Sequence, residues 1–501
     1  MVIIMKRTLS SVLAAQSLLL VLLTASCSDS TQTTGGSTPV DSDHTVTTEA
    51  ETEADILAYL PDTDLGGWQM DILCHDDHLS GIDTFTAESE NGDVINDEIF
   101  NRTKRIEERY NMVYNVIAAE NASDPWGAVG KILSTTIPAG DDIYDLVIFY
   151  NYALQGSIIT GSYFYNMNAV PYIDFDNPWW HTEINDTYEL FGYLPYVLSD
   201  YSVNSYQYAN LLVYNKTVAA NFDVPNLYDM VKNHKWTMDS FLEIVKKVTS
   251  DSNGDSKMDD NDTYGYATNF GYHALTWAYA IGERGVTLTE NGAELGYQSD
   301  KFNELASWLY ELLYTSNLTF EIGWDKPCDI SWDENRVLFQ AIWLNDLENF
   351  RNYNSPYGLL PYPMYDESQE KYYTYDDARC AGFGIPITSA KENISNTGLI
   401  LEALSADSYH NIIPKYLETV VTQKLSRDEE SLEMLDYIMD GRVHDFGYAI
   451  PDTKRYTWLF TENLKSSKGA LASTVEKYSK ATQKYYDKLI ESYKTLSEME
   501  W

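Results

Sequence analysis

The first part of the chain alternates between apolar runs and stretches with helical spacing. Apolar runs at 68–74, 112–117 and 144–149 predict three strands. Between them, apolar residues recur at helical spacing after Asp93 and again from 126 to 137. Because strands and helices alternate, we predict a parallel sheet covered by helices on both faces.

The rest of the chain predicts a second set of strands and helices. Residues 211–214 form a short apolar run, and Thr237 suits the N-cap of a helix that carries Phe241, Val245 and Val248. Further predicted strands are 337–344, 357–362 and 381–387, and further predicted helices are 299–312, 396–440 with a break near 406–408, and 474–496. The last helix is expected to turn these side chains inward: Val475, Tyr478, Ala481, Tyr485 and Leu489.

The charge of the chain narrows the possible partners. Its 501 residues contain 34 Lys and Arg against 76 Asp and Glu, which gives a formal net charge of -42. This charge repels nucleic acid and anionic lipid, and it argues against an anionic solute. Cys74, Cys328 and Cys380 are far apart in sequence, so we expect no cysteine metal cluster, although one disulfide stays open.

Residues 1–27 have the pattern of a lipoprotein signal peptide. Lys6 and Arg7 precede an apolar segment that is too short for a comfortable membrane span, and Ala25-Ser26 precede Cys27. We expect Cys27 to carry the lipid, with ordinary secretion as the alternative. Residues 28–62, rich in Ser and Thr, are expected to be a disordered tether. These features predict a protein on the extracellular face of the cell membrane that touches the membrane only through its lipid anchor.

A series of short motifs follows in order along the chain after the tether. They are Pro178-Trp179-Trp180, Val213-Tyr214-Asn215-Lys216, Pro225-Asn226-Leu227-Tyr228-Asp229, Lys235-Trp236-Thr237, Asp262-Thr263-Tyr264-Gly265-Tyr266, Gly358-Leu359-Leu360-Pro361-Tyr362-Pro363 and Phe383-Gly384-Ile385-Pro386. No single motif is specific. In this order and spacing they resemble the extracellular solute-binding proteins (family 1) of sugar-type ABC importers.

The resemblance implies an α/β fold of the periplasmic-binding-protein-like type (type II), with two α/β lobes, a hinge and an interlobe cleft. It places the solute-binding unit at 63–501, with lobe one at about 64–195 and 383–440 and lobe two at about 196–382 and 441–501. It further implies a monomeric receptor, without chemistry of its own, that closes on a solute and docks on the permease subunits of an ABC transporter.

Residues 251–262 form a carboxylate-rich loop with calcium-like spacing. Oxygen-bearing side chains occupy loop positions one, three, five, nine and twelve, and Lys257 at position seven would offer its backbone carbonyl. The side-chain ligands would be Asp251, Asn253, Asp255, Asp259 and Asp262. The loop resembles those of EF-hands and dockerins, except that Ser256 replaces the usual glycine at position six. We expect a structural Ca²⁺; the alternative is a solvated acidic turn.

Aromatic side chains are abundant, with 40 Tyr, 12 Trp and 16 Phe. Aromatic rings stack on the apolar faces of sugars, while nearby polar groups bind the hydroxyl groups. The residues expected to bind a sugar or oligosaccharide are Tyr150, Asn151, Trp179, Trp180, Tyr206, Tyr214, Trp277, Trp343 and Asn345. For each of them the competing interpretation is an ordinary place in the core.

Two other functions compete with solute binding. A calcium-dependent module that adheres to surface polysaccharide would use the acidic loop, although a dockerin needs two such loops. A secreted glycoside hydrolase would use paired carboxylates, which are uninformative by counting in so acidic a chain. The motifs G-x-S-x-G, H-E-x-x-H and G-x-x-x-x-G-K-[ST] are all absent from the sequence. We therefore expect a binding protein and not an enzyme.

Overall fold

The computed structural model describes residues 55–75, 84–119, 127–151, 162–323, 332–350, 352–377, 379–425, 429–452 and 454–501. The predicted signal peptide with Cys27, most of the tether, and Cys328 lie outside these residues. Leu60–Trp501 forms one compact unit. Within the described part of the chain, no helix combines the length and the apolar character that crossing a bilayer requires.

The strands and helices of the compact unit are numbered here in chain order. The strands are β1 (Trp68–His75), β2 (Met112–Ala119), β3 (Leu146–Tyr150), β4 (Asn210–Asn215), β5 (Tyr264–Thr268), β6 (Val286–Thr289), β7 (Gly292–Leu295), β8 (Thr319–Glu321), β9 (Val337–Trp343), β10 (Tyr357–Leu360), β11 (Thr374–Tyr375), β12 (Ala381–Gly384) and β13 (Arg442–Val443). The α-helices are α1 (Val94–Tyr110), α2 (Ala128–Ala139), α3 (Thr182–Asn185), α4 (Asn204–Gln207), α5 (Lys216–Asn221), α6 (Leu227–Lys232), α7 (Met238–Val248), α8 (His273–Ala280), α9 (Asp300–Tyr310), α10 (Leu347–Phe350), α11 (Lys391–Asp407), α12 (Ile413–Leu425), α13 (Glu429–Asp440), α14 (Phe446–Ala449), α15 (Leu459–Ser467) and α16 (Ala472–Ser497).

The first sheet has the strand order β12-β3-β1-β2. Strands β1, β2 and β3 are parallel, and β12 is antiparallel to β3 at the edge. Helix α1 joins β1 to β2 and begins where the Asp93 carboxylate accepts hydrogen bonds from the N–H groups of Ile95 and Asn96. The parallel sheet predicted from the alternation of strands and helices is therefore confirmed.

The second sheet has the strand order β10-β4-β9-β5-β8. Strand β5 is parallel to both β8 and β9, whereas β4 is antiparallel to β9 and β10. Helix α7 covers this sheet and begins at Thr237, whose side chain accepts a hydrogen bond from the N–H of Ser240. Its Phe241 and Val245 are completely buried, as the helical spacing predicted. The two main sheets, with the helices around them, form two α/β lobes.

Two segments among the described residues, 204–209 and 374–380, pass from one lobe to the other and are called the crossing segments. The first enters β4, whose residue Asn210 pairs with Trp343 at the end of β9. The second enters β12, whose residue Ala381 pairs with Tyr150 at the end of β3. The segments join each other through a bridge between Ala209 and Asp376. The carboxyl ends of β3 and β9 therefore both lie beside the crossing segments.

Some predicted helix features differ from the structure. The expected break near 406–408 is a π-helical turn, Ser408–Ile412, between α11 and α12. In α16 the prediction that Ala481 faces inward is wrong, since Ala481 is exposed while Thr482 and Tyr486 are buried. The face is rotated because Thr482 donates a hydrogen bond to the buried carboxylate of Asp452. Helix α13, which the predicted boundary assigns to lobe one, contacts β10 of the second sheet, where Ser431 accepts a hydrogen bond from the N–H of Leu359.

Candidate ligand-binding site

The carboxyl edge of the second sheet carries partly exposed aromatic and polar side chains. Strands β5 and β9 run parallel, so Thr268 and Trp343 at their ends lie at the same edge. Ligands of such α/β sheets bind outside the carboxyl ends of the strands. Trp343 and Asn345, both predicted from the sequence, are half-buried at this edge. We therefore expect a ligand to bind at this edge of the second sheet.

Trp343 belongs to an aromatic cluster that contains a second half-buried indole. The ring of Tyr272 lies edge-on to Trp343 at 5.0 Å and is 6.3 Å from Trp458. Tyr448 stacks on Trp458 at 5.0 Å, and the guanidinium of Arg379 lies 4.3 Å from the Trp343 ring centroid. Trp343 and Trp458 thus offer ring surface that the protein does not cover completely, as stacking on a sugar would require.

Several buried polar atoms at this edge have no hydrogen-bond partner among the described residues. They are Nε1 of Trp343, Oδ1 of Asn345 and Nε2 of His273. Buried polar groups without a partner are rare in native structures, because leaving one unsatisfied costs about 1–3 kcal/mol. A ligand with hydroxyl groups would satisfy donors and acceptors of this kind.

Burial controls the ionisation of the groups around Trp343. It lowers the pKa of His273 to about 3, and the positive charge of Arg379 acts in the same direction. His273 is therefore neutral near pH 7, with Nδ1 2.9 Å from Oγ1 of Thr268. Burial also raises the pKa of Asp346, which accepts a hydrogen bond from the N–H of Trp343 at 3.0 Å. The edge is thus largely desolvated, and His273 adds no charge to it near pH 7.

Tyr150 and Asn151 lie at the carboxyl end of the first sheet, where they are completely buried. The side chain of Asn151 donates a hydrogen bond to Tyr188 at 2.6 Å and accepts one from Tyr196 at 2.5 Å. Both polar ends of the Asn151 amide are therefore used within the protein. The segments that follow β1, β2 and β3, at 76–83, 120–126 and 152–161, lie outside the described residues.

Trp179 and Trp180 lie in a 3-10 turn, Pro178–Trp180, and hold a buried carboxylate. Nε1 of Trp179 donates to Oε1 of Glu402 at 3.2 Å, and Nε1 of Trp180 donates to Oε2 at 2.8 Å. Asn177 adds a third hydrogen bond to Glu402 at 3.0 Å. Both indole N–H groups therefore donate their hydrogen bonds within the protein. That Trp179 and Trp180 contact the solute stays a prediction.

Tyr206, Tyr214 and Trp277 occupy three different environments. Tyr206 in the first crossing segment is buried beneath the guanidinium of Arg442, 4.5 Å from the ring centroid. Tyr214 on β4 lines, with neighbouring residues such as Lys216, a surface groove of about 300 Å³. Trp277 on α8 is 1% exposed, and its ring lies 4.9 Å from that of Trp308 in the core of the second lobe. The structure does not bring these three side chains together with Trp343.

Four residues of the candidate site were missed by the sequence analysis: Tyr272, His273, Arg379 and Trp458. Arg379 lies between the predicted strands 357–362 and 381–387, where the sequence pattern marked no candidate. Trp458 lies in a short 3-10 helix, Tyr456–Trp458, which no apolar periodicity marks. Only the long-range contacts of these residues with Trp343 and with one another reveal them.

The acidic loop 251–262 is shaped mainly by hydrogen bonds from its own backbone. The carboxylate of Asp251 accepts from the N–H groups of Gly254 at 2.6 Å and Ser256 at 2.8 Å. Ser256 has a φ of +66°, the left-handed conformation that glycine usually supplies at position six of such loops. Ser256 therefore takes the left-handed conformation at this position without being a glycine.

Asp262 closes the acidic loop from its other end. Its carboxylate accepts the N–H groups of Asp259 and Ser252, each at 2.8 Å. These bonds, that from Asp259 first, lower the pKa of Asp262. The oxygen-rich donor set suits Ca²⁺, but among the described residues no three His, Cys, Asp or Glu side chains converge into a group that could hold a metal ion.

Comparisons with known proteins identify the fold. No protein-family profile matches the sequence, and no curated protein matches it either. Among solved structures, UgpB from Mycobacterium tuberculosis in complex with glycerophosphocholine aligns with a TM-score of 0.54 and 13% identity, over 84% of this chain and 99% of that chain. The lobes and the crossing segments therefore form the fold of solute-binding proteins, as the sequence resemblance implied.

Two further structures align at a lower TM-score of 0.47. One is an ABC transporter solute-binding protein from Thermotoga lettingae bound with α-D-tagatose, at 15% identity over 85% of this chain and 100% of that chain. The other is an ABC substrate-binding protein from Listeria monocytogenes in complex with cycloalternan, at 12% identity over 86% of this chain and 98% of that chain.

Proposed function

We propose that this chain, which has the fold of ABC transporter solute-binding proteins, is itself a receptor that captures a sugar or oligosaccharide for an ABC importer. The observation that carries the proposal is the pair of half-buried indoles, Trp343 and Trp458, at the carboxyl edge of the second sheet beside the crossing segments. A ligand held there can contact both lobes, and closure of the lobes around it would give the permease a bound form to recognise. No step of covalent chemistry is needed.

The chemistry of the edge supports a neutral, hydroxyl-rich solute. Indole rings provide stacking surface, and the unsatisfied atoms of Trp343, Asn345 and His273 provide both hydrogen-bond donors and acceptors. His273 is uncharged near pH 7, and the net charge of -42 opposes an anion. A sugar or oligosaccharide meets these conditions better than a charged metabolite.

The anchor and the metal belong to the same proposal. Cys27 would carry a lipid that holds the receptor on the extracellular face of the membrane, with residues 28–62 as a flexible spacer toward the permease subunits. The loop 251–262 would bind a structural Ca²⁺ through its carboxylates, fixing the junction between α7 and β5. The left-handed Ser256 and the oxygen-only donor set support this role.

Calorimetry with a panel of neutral mono- and trisaccharides of glucose, galactose, mannose and xylose tests the function. We expect one of them to bind, and Trp343→Ala and Trp458→Ala to weaken its affinity at least tenfold, since each removes stacking surface. Tyr172→Ala serves as the matched control, because Tyr172 is 44% exposed and has no place in the site.

Small-angle scattering with and without the bound saccharide adds an independent readout. A receptor that closes should become more compact, whereas a rigid polysaccharide-adhesion module should not change. Turnover of the saccharide during the assay would instead identify an enzyme.

A further inference from the structure

Two arginines at the crossing segments, one buried and one half-buried, share one arrangement. Each guanidinium lies over a tyrosine ring of segment 204–209 and is paired with one of two adjacent aspartates in segment 374–380. Arg442 lies over Tyr206 at 4.5 Å, and its Nη1 is 3.3 Å from Oδ2 of Asp376. With its side chain 5% exposed, Arg442 is enclosed by the protein.

Arg379 forms the second arrangement and extends it toward the candidate site. Its guanidinium lies 4.6 Å from the ring of Tyr208 and 4.3 Å from that of Trp343. Nε donates to Oδ2 of Asp377 at 3.1 Å, and Nη2 is 3.1 Å from the same oxygen. The side chain is 16% exposed, more than that of Arg442. Arg379 therefore connects the crossing segments to the half-buried indole of Trp343.

The guanidinium of Arg379 retains donor capacity. It has five N–H groups, of which the one on Nε donates to Asp377, whereas Nη2 lies 3.1 Å from the same oxygen without making a hydrogen bond. Among the described residues, no group accepts a hydrogen bond from Nη1 of Arg379. Oδ1 of Asp377 is occupied as well, because it accepts the backbone N–H of Arg379 at 3.1 Å and the hydroxyl of Tyr448 at 3.3 Å. The pair is thus held rigidly while Nη1 stays available to a ligand.

The charges around Arg379 are already balanced. Asp377 neutralises the guanidinium, and Asp346 is a second carboxyl group in its electrostatic neighbourhood. The other arginine at this edge, Arg455 over the ring of Trp458 at 4.6 Å, is paired with Glu462 at 3.3 Å. These carboxylates would repel an anionic ligand, and each arginine at this edge is already paired with a carboxylate and so offers little attraction in return. An uncharged ligand would not be repelled.

We propose that Nη1 of Arg379 donates a hydrogen bond to a hydroxyl oxygen of an uncharged saccharide stacked on Trp343, which makes Arg379 the residue that links solute recognition to the crossing segments. The inference rests on the proposed function and goes beyond it by assigning a hydrogen-bond donor for the solute and a route from the solute to the crossing segments. Asp377 acts as a positioning residue, since it fixes the plane of the guanidinium without facing the solute.

The test compares variants with ligand analogues. For the neutral trisaccharide that binds best, Arg379→Lys and Arg379→Gln should reduce the affinity roughly 10- to 100-fold, the range for one lost charge-assisted hydrogen bond. Arg105→Lys is the matched control, because Arg105 also pairs with an aspartate through two nitrogens but lies on α1 of the first lobe, with Asp407. The Arg105→Lys variant should bind the trisaccharide with the same affinity as the unaltered protein.

Monodeoxy analogues of the same trisaccharide separate recognition from structure. The analogue that lacks the hydroxyl group bound by Arg379 should bind the unaltered protein roughly 10- to 100-fold more weakly than the parent trisaccharide does. The Arg379→Gln variant should bind this analogue and the parent trisaccharide with equal affinity. If Arg379 has a purely structural role, the Arg379→Gln substitution should weaken the binding of the parent and of every analogue by the same factor. The assignment would be overturned if, for every hydroxyl group removed, the loss of affinity simply added to the loss caused by the substitution. Trigalacturonate should bind the unaltered protein more weakly than neutral trisaccharides; stronger binding would overturn it even if the variants did not fold.

The outcomes distinguish the two proposals. Saccharide binding that both Arg379 variants leave intact would refute the role of Arg379 and leave the receptor function standing. A panel in which no saccharide binds would refute the receptor function for sugars, and this inference with it.

Discussion

Nε1 of Trp180 donates a hydrogen bond to Oε2 of Glu402 at 2.8 Å, and both side chains are completely buried. Glu402 lies on α11, more than two hundred residues further along the chain. The carboxylate also accepts hydrogen bonds from Asn177 and Trp179. A carboxylate inside a protein is tolerated only when such donors surround it. These hydrogen bonds therefore join the Pro178-Trp179-Trp180 turn to helix α11 in the first lobe.

Removing this carboxylate should destabilise the protein strongly. Glu402→Ala leaves several buried donors without an acceptor, so we expect the free energy of unfolding to fall by about 3–5 kcal/mol in urea titrations. Glu392→Ala on the exposed first turn of the same helix is the control and should change it by less than about 0.5 kcal/mol. Equal, small effects of both variants would show that the Glu402 contacts contribute little.

Acidification should destabilise the protein through His273. Its pKa is about 3 in the folded protein, against 6.5 for the ordinary group, so between these values the unfolded chain binds a proton that the folded one does not. Stability therefore falls as pH decreases from 6.5 to 3, with His273 adding a slope of up to about 1.4 kcal/mol per pH unit. Unfolding at several pH values should show a shallower slope for His273→Gln. An unchanged slope would mean that His273 titrates normally.

Calcium should stabilise the second lobe. We expect a chelator to lower the melting temperature and added Ca²⁺ to restore it. Asp251→Asn and Asp255→Asn should abolish the response, because each removes a carboxylate from the predicted ligand set. Asp260→Asn is the control, since Asp260 lies in the same exposed loop but outside that set. A melting temperature that neither chelator nor Ca²⁺ changes would leave the loop as a solvated turn.

Lipidation should decide where the protein resides. Cys27→Ser removes the thiol that would be acylated, so the protein should move from the membrane fraction to the soluble fraction of the producing cells. Mass spectrometry of the mature amino terminus should find the lipid on Cys27 of the unaltered protein only. A soluble unaltered protein with an unmodified terminus would favour ordinary secretion.

Local sequence patterns were sufficient for most of the first sheet and for α7. The strands β1, β2 and β3 and the cap at Thr237 follow from apolar runs and capping residues that act within a few positions of the chain. The inward face of α16 did not follow, because Thr482 is polar, and the partner that its buried hydroxyl finds, Asp452, lies outside the helix. A contact between distant residues has no signal in a short window of sequence.

The sequence by itself determined the alternation of strands and helices, the acidic charge and the aromatic richness, because these depend on residue type and local spacing. It also singled out Trp343 and Asn345, which lie at the carboxyl edge of the second sheet. Only the tertiary structure decided that Arg379 and Trp458 join Trp343 there, and that Trp180 faces Glu402 inside the first lobe. The physical reason is that the role of a side chain depends on its neighbours. Whether it lines a binding site, donates a hydrogen bond or packs in the core is decided by residues that folding brings to it from elsewhere in the chain.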